Sequence, residues 1–178
     1  MEEKNYQVKR NLSAIEKTTS LLNDLPDYMT RFVSHMSTMK NSSRLTVYEY
    51  VRDISIIFQI ITEINPVIHN KKDITVDVLD HLNTDDFEDI MMKLQNGYEK
   101  NGKTFMDDNT SRARKLASIR ALYKYLLERH GDVDVYVKCL LYWCISWGGR
   151  ASRRRSGSVC EYRCRYRYRQ RGRRGADQ

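Results

Sequence analysis

The sequence predicts an all-α protein: a small bundle of four to five helices, followed by an arginine-rich tail expected to be disordered on its own. Three observations predict it. Apolar residues recur at three- and four-residue spacings up to Arg129. The runs are separated by helix-stopping and helix-starting residues, at Asn23-Asp24-Leu25-Pro26, Asn41-Ser42-Ser43 and Asn65-Pro66. From Gly148 onward the chain is Arg, Gly, Ser and Tyr with almost no core-forming residue.

The elements follow in order. Tyr6 to Leu22 reads as a polar, weakly amphipathic helix with Val8, Leu12, Ile15 and Leu22 as its apolar positions. Asp24 is the expected cap of the next helix. Pro26 suits its first turn, where N–H groups lack intrahelical partners. Tyr28, Phe32, Met36 and Met39 then form one face. After Asn41-Ser42-Ser43 a helix runs to about Ile64, with Val47, Tyr50, Val51, Ile54, Phe58 and Ile61 as its stripe and Arg44, Glu49, Arg52 and Gln59 elsewhere. Its isoleucine cluster fits a strand by residue type, but the run is too long and keeps helical spacing. Asn65-Pro66 ends it.

Val67 to Ile74 reads as a loop and Val76 to Leu82 as a short helical turn. Thr84 is the expected cap of a helix whose first turn is acidic, as the helix dipole favours. Phe87, Ile90, Met91, Leu94 and Tyr98 are spaced as one face. Lys100 to Asp108 reads as a polar loop. Asn109 or Thr110 is the expected cap of a last helix, Ser111 to about Arg129, with Leu116, Ile119, Leu122, Tyr123 and Leu126 inward.

The 178-residue chain has a net charge of +8, but the charge is not spread evenly. Residues 148–178 hold 11 Arg and two acids, a net +9, which leaves residues 1–147 at −1. A nucleic-acid case for the body must rest on charge arrangement, not on total charge. Cys139, Cys144, Cys160 and Cys164 have no His near enough for a usual zinc pattern, and no secretory context favours disulfides. No metal and no cofactor are expected. No apolar run reaches the roughly 18 residues of a membrane span, and the N-terminus lacks an apolar leader segment. The expected location is the cytoplasm.

Two helices carry a family resemblance. The first is Ser43-x-x-Thr46-x-x-x-Tyr50-x-x-Asp53-Ile54, continuing to Phe58. The second is Arg114-Lys115-Leu116-Ala117-Ser118-Ile119-Arg120-Ala121-Leu122-Tyr123-Lys124-Tyr125-Leu126, which crowds basic and small polar residues on one helix. Leu25-Pro26-x-Tyr28-x-x-x-Phe32 precedes them. In this order and spacing they resemble the N-terminal core-binding domain of tyrosine recombinases, the phage integrases and Xer-type resolvases. The resemblance covers Leu25 to Arg129. It implies a SAM-like core-binding domain over 25–130, an N-terminal helical extension over 1–24 and an atypical tail over 131–178.

The resemblance also implies double-stranded DNA as the partner, with full-length recombinase protomers as a further one, and no membrane or small-molecule substrate. Carried over by position, the DNA-contacting candidates are Ser43, Arg44, Thr46, Arg112, Arg114, Lys115 and Ser118. The chemistry agrees: Arg and Lys neutralise phosphates, hydroxyls at a helix start donate to them, and Arg pairs with guanine edges. Structural roles compete at each position. Ser43 and Thr46 also suit a helix cap, and Tyr50 and Asp53 fit a structural role better than a DNA-facing one. The cations of the last helix also suit a solvated face, and Arg120 an internal ion pair.

The chemistry of the family is not legible in this chain. Tyrosine recombinases use a tyrosine nucleophile, two arginines, a lysine and a His-x-x-Arg, because charge develops on the phosphate oxygens in the transition state. None of His35, His69, His81 and His130 begins a His-x-x-Arg, and the 49 residues after Arg129 are fewer than a catalytic domain needs. The expectation is a non-enzyme: a DNA-binding module of a site-specific recombinase (DNA recombination, DNA integration), truncated before its catalytic domain. Residue usage also breaks where the resemblance stops. Up to Trp147 the chain has 12 Lys and 8 Arg, and afterwards no Lys and 11 Arg. Cys and Trp first occur after Gly131. The break suggests a tail translated in a different reading frame. The competing reading is a genuine arm, in which Arg163-Cys164-Arg165-Tyr166-Arg167-Tyr168-Arg169 interleaves cations with stacking rings, as RNA and single-strand binders do. The helical body is then only a scaffold.

Overall fold

A computed structural model describes residues 2–100 and 102–130, within a compact unit that spans Met1–Tyr136. The four cysteines and the arginine-rich tail lie outside the described residues. The order is α1 (Glu2–Leu22), α2 (Tyr28–Thr38), α3 (Arg44–Ile64), a 3-10 turn (Lys71–Asp73), α4 (Val76–His81), α5 (Thr84–Asn96), strands β1 (Tyr98–Lys100) and β2 (Lys103–Phe105), and α6 (Asn109–His130). The class is all-α, as expected.

α3 is the hub. It packs against α1, α2, α5 and α6, and so it is buried over far more than one stripe. Val47, Val51, Ile54, Phe58 and Ile61 point inward as the spacing predicts, but so do Ile56, Ile57 and Ile60. A helix apolar nearly all round is what a central position demands. The isoleucines that suggest a strand by type serve here because they face different neighbours. Around α3 the deepest side chains are Phe32, Met29, Leu79, Leu94, Ile119, Leu122, Tyr123 and Leu126, each below 2 % exposed. Each such large apolar side chain contributes roughly 1.5–3 kcal/mol through burial. Phe32 meets Tyr125 edge-on at 5.6 Å, and Phe87 meets Tyr123 at 6.2 Å. Two tyrosine hydroxyls tie distant segments together: Tyr28 donates to Ile74 O at 2.9 Å and Tyr123 to Leu79 O at 3.3 Å.

Several expected details differ. α1 does not bury Val8, Leu12 or Ile15, which are 55 %, 54 % and 43 % exposed; it buries Ala14 and Thr18 instead. Small side chains let the helix lie close to α3, and Thr18 satisfies its hydroxyl on Ala14 O at 2.7 Å. Asp24 does not cap α2. The residue before α2 is Asp27, which has helical backbone angles and makes no side-chain cap. Met39 lies beyond α2 and is exposed, while Met29 takes an inward place. The cap of α5 is Asn83, not Thr84. The Asn83 side chain accepts from the N–H of Asp85 and Asp86, and Asp86 returns a bond to the Asn83 N–H. The cap of α6 is Asp108, one residue before the expected position, through a 2.7 Å bond from the Ser111 N–H.

The polar loop expected over Lys100–Asp108 is in large part a hairpin. α5 stops at Gly97, whose φ of +130° is open to glycine but strained for other residues. The chain then forms an antiparallel pair with Tyr98 opposite Phe105, Glu99 opposite Thr104 and Lys100 opposite Lys103. Tyr98 keeps helical spacing with Leu94 in the sequence, but it reaches the core from a strand, at 6 % exposure.

Candidate nucleic-acid interface

The first group of expected residues sits at the start of α3. Ser43 has extended backbone angles, and its Oγ accepts from the Thr46 N–H at 3.1 Å. The Thr46 hydroxyl lies 2.8 Å from the same oxygen. Ser-x-x-Thr thus closes the first turn of the helix and satisfies one of its free donors. Both residues remain exposed, with lone pairs open to solvent. Arg44 is exposed and donates to Ser37 Oγ of α2 at 3.2 Å.

The second group begins at the first turn of α6. Arg112 donates to Gln95 of α5 and to Asn109, bridging the two helices. Arg114 pairs with Glu49 and places Nη2 3.1 Å from Asp53 Oδ1. Ser118 is fully buried and directs its hydroxyl at Asp53 Oδ2 (3.3 Å) and at Arg114 O (3.2 Å). Lys115 is only 3 % exposed and pairs with Asp107 at 2.6 Å, with its ammonium 5.7 Å from the Tyr98 ring centroid. The structure therefore gathers Arg114 and Ser118 around one carboxylate of α3 and seats Lys115 beside them, paired with Asp107 on the approach to α6. No hydrogen bond or ion pair among the described residues joins this group directly to Ser43, Arg44 or Thr46.

Asp53 organises this group. It is wholly buried, and burial pushes its carboxyl above the usual range; Arg114, Lys115, Arg52 and the Ser118 hydroxyl oppose that rise. Arg52 lies 3.9 Å from Asp53 and also pairs with Glu49 one turn earlier. Two arginines are thus shared between two carboxylates across the α3–α6 contact. Burial, followed by the charge and hydrogen bond of Asp107, pushes the Tyr98 hydroxyl up to about 12. The bond from Ser111 to Asp108 at the α6 cap holds the Asp108 carboxyl below the usual range.

Sequence reasoning missed Glu49, Arg52 and Asp107 as partners of the basic residues, because their pairing depends on how α3 and α6 cross. It also missed Lys100 and Lys103, read as part of a loop. A signal for them exists: Asn101-Gly102 between two short runs is a two-residue hairpin dipeptide.

The fold and the polar face define a small helical bundle with arginines and hydroxyls at the starts of two long helices. The family model for the phage integrase N-terminal SAM-like domain matches residues 29–130. That is more than half of the chain, and the chain belongs to this family. No curated protein and no solved structure matches the chain. Among the described residues, no helix is long and apolar enough to cross a membrane.

Proposed function

We propose that residues 25–130 are the duplex-DNA-binding module of a tyrosine-type site-specific recombinase, and that this chain carries no strand-transfer chemistry of its own. The observation that carries the reading is the family match over residues 29–130. It coincides with the span in which Arg44 and Arg112 stand in the first turns of α3 and α6, with Arg114 in the second turn of α6. In this reading Ser43, Arg44, Thr46 and Arg112 meet phosphates from exposed or half-exposed positions. Arg114 uses the part of its guanidinium that Glu49 and Asp53 leave free. Lys115 and Ser118, which are buried, act by holding α6 at its angle to α3. Phosphate contacts of this kind position a protein on duplex without reading its sequence. Full-length recombinase protomers are the expected protein partners, and a chain of this kind would occupy a half-site without cutting it.

The test is a duplex titration at two salt concentrations, comparing the full chain with one lacking Gly148 to Gln178. Binding that survives the deletion, with a slope in log salt that counts several phosphates, supports the module. Loss of all duplex binding on that deletion assigns nucleic-acid binding to the tail, as an arginine-rich RNA or single-strand binder, and defeats the proposal.

A further inference from the structure

We propose that the cleft between the β1–β2 hairpin and the first turns of α6 is an anion site that takes a phosphate group. The cleft encloses about 450 Å³. Five cations line it, Arg52, Lys100, Lys103, Arg114 and Lys115, against a single lining carboxylate, Asp107. Three of the five are accounted for internally: Arg52 and Arg114 by Glu49 and Asp53, and Lys115 by Asp107. Lys100 and Lys103 have no carboxylate partner among the described residues. The cleft is left with two excess positive charges.

The hairpin register makes this costly without a ligand. Side chains alternate across a strand, so Tyr98, Lys100, Lys103 and Phe105 share one face while Glu99 and Thr104 take the other. Lys100 and Lys103 stand directly opposite each other, and like charges in that position destabilise a strand pair. The acid of the hairpin, Glu99, lies on the far face and cannot relieve them there. Burial, followed by the charges of Arg52 and Lys115, holds the Lys100 ammonium below its usual range. An anion between the two lysines removes the repulsion and compensates the half-buried charge of Lys100. Phosphate fits better than carboxylate, because two ammonium groups and neighbouring guanidiniums offer several donors and two charges to one ligand.

The phosphate can come from a duplex backbone or from a free phosphate-bearing molecule. The duplex source rests on the DNA-binding reading above; the free source does not. The experiment uses the isotope-labelled full chain and the variant K100Q/K103Q, with Lys103→Gln alone as the second variant should the double one not fold. Inorganic phosphate, with acetate as the control at equal ionic strength, is titrated while the amide resonances of Gly102, Lys103 and Ser111 are followed. A saturable shift in the millimolar range with phosphate but not acetate, weakened at least about tenfold in the variant, is expected. In a parallel duplex titration the variant should lower the log-salt slope by about 0.9, the value for one lost phosphate. An unchanged slope with phosphate binding still lost assigns the site to a free phosphate compound. A saturable phosphate shift in a chain that shows no duplex binding keeps the site and defeats the DNA reading. Absence of a saturable phosphate shift overturns the site, whatever the duplex titration shows.

Discussion

Arg114 of α6 places Nη2 3.1 Å from Oδ1 of Asp53 of α3, a carboxylate with no exposed surface. The pair joins the two helices that carry all the residues the family resemblance picks out for DNA contact. It is asymmetric: Arg114 retains 39 % of its side-chain exposure and Asp53 none.

That asymmetry predicts unequal costs. Arg114→Ala leaves Asp53 with Lys115 and with Arg52, 3.9 Å away, as its remaining cations. The expected loss is about 2–3 kcal/mol, below the figure for a fully buried pair because solvent screens the exposed arginine. Asp53→Asn keeps the shape and the bond to Ser118, removes a charge that burial disfavours and frees Arg114 to reach solvent, for a change of no more than about 1 kcal/mol. Urea denaturation of both variants checks the order; equal losses would contradict it.

Asp53 should titrate above the ordinary aspartate value of about 3.9, as its burial requires. Because folding raises this pKa, the native state holds the proton more tightly than the unfolded chain. The stability linked to this carboxyl is then greatest below the unfolded value and declines as pH rises through the folded midpoint. Carbon-13 shifts of the Asp53 carboxyl give the midpoint, and Asp53→Asn should remove this component from a stability–pH profile.

Ser43 separates capping from binding. Ser43→Ala should cost about 1 kcal/mol and Ser43→Gly only a few tenths, because glycine tolerates the cap position. Glycine still removes the hydroxyl. If that oxygen meets phosphate, Ser43→Gly weakens duplex binding while thermal stability barely changes.

Gly97 is required by its backbone. An alanine Cβ there would lie 3.0 Å from Thr104 Cγ2 at a φ of +130°. Gly97→Ala should cost about 1–3 kcal/mol. The loss should appear first as weakened hydrogen-exchange protection in β1–β2, since Gly97 joins α5 to that hairpin.

The outer face of α1 should tolerate change. Leu12→Gln and Ile15→Gln are expected to shift stability by no more than about 0.5 kcal/mol, while Ala14→Leu, on the face packed against α3, should cost about 1–3 kcal/mol through overpacking. Melting temperatures of the three variants distinguish the faces.

The sequence by itself determined the helices, their order and most of the core. Helical periodicity is local, and Phe32, Ile54, Phe58, Ile119 and Leu126 fall where the spacing puts them. Ser43 was legible as a cap because a cap is made within one turn of chain. The tertiary structure alone decided what depends on a second element. It chose Ala14 and Thr18 over Leu12 and Ile15 on α1, because the approach to α3 favours small side chains there. It turned Lys115 and Ser118 inward, because Asp107 and Asp53 meet them across gaps that sequence spacing does not measure. It also brought Lys100 and Lys103 into one cleft with Arg52, Arg114 and Lys115, because that depends on how the hairpin packs against α3 and α6.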